Sequence, residues 1–412
     1  MASNTEGGSH PNFTSKKIRL MPSKTIYHKL PMPRGRREES LAHLIPLSMF
    51  NFYSKSHCSP QFFQSMTYGC INIKINATNS SADYCIKGNH NRCQTYKHFR
   101  VMGDGFGSHV SSLGIVAAAV DKGQPKDGVQ KAPKEIREHG LEKLIQKLGA
   151  QVNDYGEVTQ PEDREPDVIF NCENQRALVK TTIELTECVA KSVSENDMTL
   201  ILGGDHSIGT GSIAGHLKIF PNSFVVWVDA HADINTPMSS VSRHTHGMPL
   251  SFLLNEISKL IPQTHGFENI KPVLEANQLL YIGLRDVDAP ELKFIKDLNI
   301  PYFNMEDVRS IGIKGVMETT LKTIMRFSPN CQIHLSFDID GLDPKYAAST
   351  GTPVPGGLSL EEGKYICKTL GQTGLLKSMV VAEVNTSLGS PEDAQTTLNS
   401  ALEIIKSALL LD

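Results

Sequence analysis

The chain holds a single tryptophan among 412 residues, and aromatic residues make up only 7% of it. None of its eight cysteines falls in a C-x-x-C pair, so the sequence signal of a zinc finger is missing. No apolar run approaches the roughly 18 residues of a membrane span. Asn4 to Lys17 is polar, so no secretory apolar core is expected near the start. The Asn-x-Ser/Thr triplets at Asn12, Asn76, Asn79 and Asn385 are therefore read as chance matches. A reducing, cytoplasmic setting is the expectation. Arg34, Arg36 and Arg37 leave a mitochondrial transit segment open, although Glu6, Glu38 and Glu39 argue against one. An aromatic-interleaved RNA motif and a basic amphipathic helix are also absent, so neither nucleic acid nor a membrane is expected as a partner.

Net charge is only −3 but unevenly shared. Residues 1–100 carry 14 Lys/Arg against 4 Asp/Glu, and the remainder 27 against 40. That asymmetry marks a basic arm on an acidic globule, and such an arm is read first as a solvated tail. Residues 1–108 mix Ser, Asn, Pro and Lys without sustained periodicity and end in Gly103-Asp104-Gly105-Phe106-Gly107. They are expected to form a poorly ordered N-terminal extension, with one short strand candidate at Cys70 to Ile75. The catalytic domain is expected over 109–412.

From His109 onward, strand-like and helix-like segments alternate. Strands are expected at Ser112 to Val120, Met198 to Gly204, Ser223 to His231, Gln278 to Leu284, Cys331 to Asp340 and Leu375 to Glu383. Between them, helical spacing appears at Pro133 to Gly149, Asn174 to Glu195, from Ser207, Met248 to Leu260, up to Leu298, and Val316 to Arg326. Ser359 to Leu370 and Pro391 to Leu410 complete the helices. Strands apolar on both faces, alternating with helices, predict an α/β fold whose mainly parallel sheet is covered on both sides.

Three of these strands run straight into Asp or His: MTLILGGDHS, SFVVWVDAHAD and CQIHLSFDIDGLDP. The carboxyl ends of strands are where open α/β sheets place their ligand sites. In Asp229-Ala230-His231-Ala232-Asp233, an extended chain would turn all three side chains to one side. Asp338 and Asp340 repeat the spacing, and His206 sits where a strand hands over to a helix. Asp343-Pro344 is read as a turn. Each segment taken alone is compatible with an Asx-rich turn or a helix cap. Together they put four carboxylates in one cleft, where they would raise one another's pKa values unless cations sat among them. Two divalent ions cancel the charge, so a two-metal hydrolase site is expected. A carboxylate-rich set with a minority of imidazole suits Mn²⁺. A hydroxide between ions roughly 3.5–4 Å apart would be a strong nucleophile at neutral pH.

At these residues the chain resembles the ureohydrolases, and arginase most closely. The stretches that carry the resemblance are GGDHSIGTGS, VDAHADINTP, HGMPLSFLL, YIGLRDVDAPE, SFDIDGLDP, TGTPVPGG and AEVNTSLG, in the family's order over about residues 110–412. The resemblance implies a three-layer α/β/α fold with an eight-stranded parallel sheet, a homotrimer, and hydrolysis of L-arginine to L-ornithine and urea with two Mn²⁺ per subunit. It implies that one ion is held by His206, Asp229, Asp233 and Asp338, and the other by Asp229, His231, Asp338 and Asp340. His246 matches the proton-shuttle histidine and Glu383 the guanidinium-orienting glutamate, with Asp233 also holding the nucleophile by a hydrogen bond. Asn235 and Ser242 match positions that bind the α-carboxylate, with His244 beside them. Asp288 and Glu291 match positions near the α-amino group, and Thr352 lines the pocket.

Two departures stand out. Arg243-His244 replaces what is usually Gly-Asn, and Val116-Ala117-Ala118-Ala119 stands where the family usually has a Gly-Ala-Pro run. Agmatinase, or another guanidino-acid hydrolase, is the rival within the fold. A non-catalytic binding protein is the rival outside it, and its signature would be loss of metal ligands; none is lost.

Overall fold

The computed structural model describes residues 62–68, 71–78, 81–87 and 94–99, and then 110–160, 167–263 and 266–411. The first group makes one unit by itself: β1 (Phe62–Tyr68), β2 (Ile71–Thr78), β3 (Ser81–Lys87) and β4 (Gln94–Phe99) form a sheet in chain order. β1 and β3 both pair antiparallel with β2, so Ile73 faces Met66 on one side and Ile86 on the other. The strand expected at Cys70 to Ile75 overlaps β2. β1, β3 and β4 also fall within the expected low-order extension, and its positions outside the four strands lie outside the described residues.

The second unit is an eight-stranded sheet. Its first part comprises β5 (Ser112–Ala119), α1 (Ala132–Ile136), α2 (Glu142–Leu148) and β6 (Gln151–Thr159). A two-stranded hairpin of β7 (Val168–Ile169) and β8 (Cys172–Glu173) precedes α3 (Gln175–Glu195). Then come β9 (Met198–Gly203), α4 (Gly209–Ile219), β10 (Phe224–Val228), α5 (Pro249–Leu253) and β11 (Leu279–Leu284). The chain continues through α6 (Ala289–Asp297), β12 (Tyr302–Asn304), α7 (Met305–Phe327) and β13 (Ile333–Asp338). It closes with α8 (Leu360–Gln372), β14 (Leu376–Ala382) and α9 (Pro391–Ala408).

Strand order is β12-β11-β10-β13-β14-β9-β5-β6, and every neighbouring pair is parallel. Alternate residues of one strand feed opposite cores, which is what makes three layers. Phe224, Val226 and Val228 of β10 join the core under α7, α8 and α9. Val225 and Trp227 of the same strand join the core on the other face, with Ile213 and Leu217 of α4. Burying each such side chain contributes about 1.5–3 kcal/mol.

Topology sets the site. After β9 the chain crosses to β10, runs outward to β11 and β12, and returns to insert β13 and β14 between them. β10, β13, β14 and β9 are therefore adjacent at the point where strand order reverses, and their carboxyl ends meet at one crevice. Gly204 lets the chain leave β9 there, since a Cβ on it would lie 1.9 Å from the carbonyl oxygen of Val120. The Val116 to Ala119 departure simply continues β5 as buried strand.

Two helix expectations need correction. Pro133 to Gly149 is not one helix, because Gly140 adopts φ 145 and breaks it. Met248 to Leu260 keeps only Pro249–Leu253 as α-helix. Leu254 turns extended and bridges to Leu274, whose carbonyl also accepts from the Asn255 backbone and side chain. The helix expected at Val316 to Arg326 lies in the part of α7 that follows a break at Gly312 (φ 69), and a shorter helical stretch from Met305, capped by the Asn304–Asp307 box, precedes that break.

Candidate metal centre

His206 opens a helical turn directly after β9. Asp205 caps that turn, its Oδ1 accepting the Ser207 N–H at 2.9 Å and its Oδ2 the Gly123 N–H at 2.7 Å. The imidazole Nδ1 faces three carboxylates, at 3.1 Å from Asp229 Oδ2, 3.2 Å from Asp233 Oδ2 and 2.9 Å from Asp338 Oδ2. Its Nε2 lies 2.8 Å from Ser336 Oγ. His231 Nδ1 lies 3.3 Å from Asp229 Oδ1 and 3.2 Å from Asp340 Oδ2. One oxygen of Asp229 thus faces each histidine, as a bridging carboxylate requires.

The convergence arises differently from the extended chain expected. The His231 N–H bonds Asp229 Oδ1 at 2.6 Å and the Asp340 N–H bonds Asp338 Oδ1 at 2.8 Å, so both segments are turned by their own carboxylates. Asp233 takes φ 50 and Glu383 φ 62, left-handed conformations that non-glycine residues adopt only under constraint. The Asx-turn reading is met by the same side chains that face the two histidines.

These carboxylates are at most 7% exposed. Burial pushes Asp338 well above the usual carboxylate range, and the charges of Asp340 and Asp229 push further. Burial and Asp229 raise Asp233 to about 6. For Asp229, burial is outweighed by hydrogen bonds and charge from His206 and His231, and its pKa falls. Both histidines are in turn raised well above their ordinary value by the carboxylates, against the effect of burial. Imidazolium charge balances the acidic cluster here, and two divalent cations would balance it more completely. Two donor groups have the necessary proximity, His206 with Asp229 and Asp233, and Asp229 with His231 and Asp340; in each, the ligand atoms lie within 4.8 Å of one another. The donor set fits a pair of hard divalent ions.

A cleft of about 160 Å³ opens onto these groups. Asn235, Ser242, Asp288, Glu291, Thr352 and His246 all line it. Thr352 Oγ1 donates to Asp340 Oδ2 at 3.0 Å, and Asn235 Nδ2 to Asp288 Oδ2 at 2.9 Å. Both Glu291 oxygens accept backbone N–H groups, from Ile234 and Asp288, and burial raises its pKa to about 8. His244 stands off the lining, 3.7 Å from Glu173. Glu383 is not among the residues that line the cleft; its Oε1 accepts the His206 N–H at 2.8 Å and faces Nδ1 of the lining residue His246 at 3.0 Å. Its buried Oε2 has no hydrogen-bond partner among the described residues.

Residues 111–411 match the model of the arginase family. Arginase-1 of Bos taurus is 41% identical over 298 residues, covering 72% of this chain and 92% of that protein. Arginase-2, mitochondrial, of Homo sapiens is 44% identical over 303 residues, covering 73% and 85%. The crystal structure of Entamoeba histolytica arginase in complex with L-ornithine matches with a TM-score of 0.66 at 34% identity, over 73% of this chain and 99% of that one. The chain belongs to the arginase family. Family membership makes it a metal-dependent ureohydrolase, and the expected three-layer fold with eight parallel strands is the one observed. The N-terminal sheet at 62–99 lies outside the matched residues.

Several groups that hold this ureohydrolase centre escaped the sequence reading. Trp227 Nε1 donates to Asp229 Oδ2 at 2.9 Å, and its ring stacks on His206 at 4.0 Å. Arg285 donates to the carbonyls of Asp340, Gly341 and Leu342, fixing the loop after β13. Trp227 and Ser336 each precede, by two residues, an aspartate that faces His206, so the period-2 rule placed them on the same face. Partners that orient metal ligands typically contribute 10–100-fold in affinity. Trp227→Phe keeps the stacking ring but loses the donor, so divalent-ion affinity is expected to fall by about that factor while the fold persists. A metal titration followed by calorimetry measures it; unchanged affinity would mean the indole N–H plays no part in orienting Asp229.

Proposed function

We infer that this protein hydrolyses the guanidinium group of L-arginine to urea and L-ornithine at a pair of Mn²⁺ ions. His206, Asp229, Asp233 and Asp338 would hold one ion, and Asp229, His231, Asp338 and Asp340 the other. The observation that carries the reading is Asp229, which directs Oδ2 at His206 and Oδ1 at His231. Preference for Mn²⁺ follows from four carboxylates against two imidazoles. Bound as a pair, such cations supply a water ionised at neutral pH, which an unreactive guanidinium carbon requires.

The chain's own residues do the rest. Glu383 Oε2 is buried and unpartnered, so it can accept guanidinium N–H groups and aim the carbon. Asp233 borders both the cleft and His206, where it could accept a hydrogen bond from the attacking water. The departing amine must leave protonated. His246 holds a proton for it: burial lowers its pKa, but the Glu383 hydrogen bond and the charges of Glu383, Asp233 and Asp205 outweigh burial and raise it to about 9. Its side chain is 19% exposed, enough to exchange that proton with solvent.

Arginine exceeds agmatine by an α-carboxylate. Asn235 and Ser242 offer neutral donors for it, with His244 close by, and Asp288 offers a carboxylate for the α-amino group, with Glu291 beside it in the lining. Protein loaded with Mn²⁺ is expected to release urea from L-arginine and much less from agmatine. Comparable turnover of the two would assign agmatinase-type specificity instead. A homotrimer belongs to the same proposal and is read by sedimentation equilibrium. No helix among the described residues is long and apolar enough to cross a membrane. The proposed compartment is the cytoplasm; the relative named mitochondrial makes the mitochondrion the alternative for a localisation experiment.

A further inference from the structure

The rim of the cleft is held by a small element with no counterpart in the chemistry above. Ser240 and Ser242 line the cleft from the loop that follows β10. Between Ser242 and His244, Arg243 takes φ 67. A β-carbon in the left-handed region crowds the backbone, so arginine there persists only where its surroundings over-determine it.

Three contacts do so. The Arg243 N–H donates to Ser240 Oγ at 2.9 Å. Its carbonyl accepts the Glu173 N–H at 3.0 Å. Its guanidinium lies 2.7 Å from Glu173 Oε1. The other end of the loop is tied to the same hairpin, because Asn171 Nδ2 donates to Pro237 O at 2.7 Å and Ser240 O at 3.0 Å. The β7–β8 hairpin thus grips the loop at both ends, and Glu173 is the grip nearest the strained residue. Within the loop, Ser240 Oγ and Ser242 Oγ are 3.4 Å apart and Ser242 Oγ accepts the His244 N–H at 3.3 Å, while His244 Nε2 lies 3.7 Å from the other Glu173 oxygen.

We propose that Glu173 is a positioning residue for substrate selection. By pairing with Arg243 it holds the loop in the strained conformation that presents Ser240 and Ser242 to the α-carboxylate of L-arginine. This rests on the arginine reading above and adds the device that fixes its specificity. Neutralising Glu173 lets Arg243 relax out of the left-handed region and draws both serines off the cleft. Groups at the guanidinium end have holds of their own: Asp229, Asp338 and Glu383 sit at strand ends, and His246, just after this loop, is fixed by its N–H to the Gly123 carbonyl and its ring to Glu383.

The test uses the full chain loaded with Mn²⁺. With Glu173→Gln, the KM for L-arginine is expected to rise about fivefold, the scale of one partly exposed ion pair. The kcat should stay at the parental value, and kcat/KM for agmatine, which has no carboxylate to place, should not change. A merely structural role for the hairpin would lower both substrates together. Arg243→Gly supplies the second variant: glycine adopts φ 67 without strain, so its KM for L-arginine should stay near the parental value. Adding Glu173→Gln to that background should have no further effect. An unaltered KM in Glu173→Gln, an equal loss on both substrates, or a fall in KM would each overturn the proposal. If the parental protein releases urea from neither compound, the arginine reading itself fails, and the strut with it. Parental turnover of L-arginine with unchanged selectivity in Glu173→Gln removes the strut alone.

Discussion

Asp229→Ala is expected to abolish urea release, by more than about a thousandfold, and to leave the chain with neither divalent ion. The size of the effect follows from position. Asp229 is fully buried at the end of β10, with one oxygen toward each histidine and Trp227 Nε1 holding the first of them. Removing a carboxylate at the edge of the cluster would weaken one site; removing this one takes a donor from both. It also leaves His206 and His231 without the group that contributes to holding their pKa values up, so burial regains weight in each. Elemental analysis of dialysed protein reads the outcome. A variant that still holds two ions per chain would show that Asp229 does not bridge, and one that holds a single ion would assign it to the other site only.

Much of this was legible because the residues that carry the chemistry follow strands that are apolar on both faces. VVWVDAH and HLSFDID announce a buried parallel strand and its end in the same few residues, and the reversal of strand order then gathers those ends. The edges of the sheet were less legible for a matching reason. β6 reads QVNDYGEVT and is largely exposed, so it has neither the apolar run of a central strand nor a clean alternation. β12 is three residues long and none of them is fully buried. Local propensity also misled at Met248 to Leu260, where apolar spacing continues past Leu253 but Leu254 is drawn into a bridge with Leu274, twenty residues on.

Within the site, residue types were readable and backbone shape was not. The D-x-H-x-D spacing suggested an extended chain, whereas Asp229 and Asp338 each close a turn on the N–H two residues ahead. Only the fold shows that the oxygens left over after those turns, Asp229 Oδ2 and Asp338 Oδ2, both point at His206, while the Asp229 oxygen that closes its turn also faces His231. Glu291 illustrates the reverse case. Its spacing suited the α-amino end of the substrate, and it does line the cleft, yet its Oε2 already caps α6 through the Asp288 N–H and its Oε1 accepts the Ile234 N–H from the loop after β10. Arg243 was visible as an unusual residue; that it sits at positive φ, and that Glu173 from another segment pairs with it, depends on a contact seventy residues apart.

Glu383→Gln should separate holding the ions from using them. Glu383 touches the metal centre only through the His206 backbone N–H, at 2.8 Å, so both ions are expected to stay. What is lost is the charge that would orient the guanidinium, and kcat/KM for L-arginine should fall by about 10²–10³, the range for removing one preorganised electrostatic partner. A second readout comes from protein stripped of metal. In the parental chain burial lowers the His246 pKa, but the hydrogen bond and charge of Glu383 lead the opposing effects and raise it to about 9. In the variant, burial stands against the charges of Asp233 and Asp205 alone, so the midpoint must move down. The sign for stability follows. A histidine raised in the folded state contributes stability that is fully present below its ordinary value near 6.5 and is lost as pH rises through about 9. The parental chain should therefore lose more stability from this group across that window than the variant does. Titration of the His246 ring by NMR, with denaturant midpoints taken at both ends of the window, measures both effects. A His246 midpoint that stays near 9 without the carboxylate would remove Glu383 as the group that holds its proton, and loss of the ions would make Glu383 part of the metal centre itself.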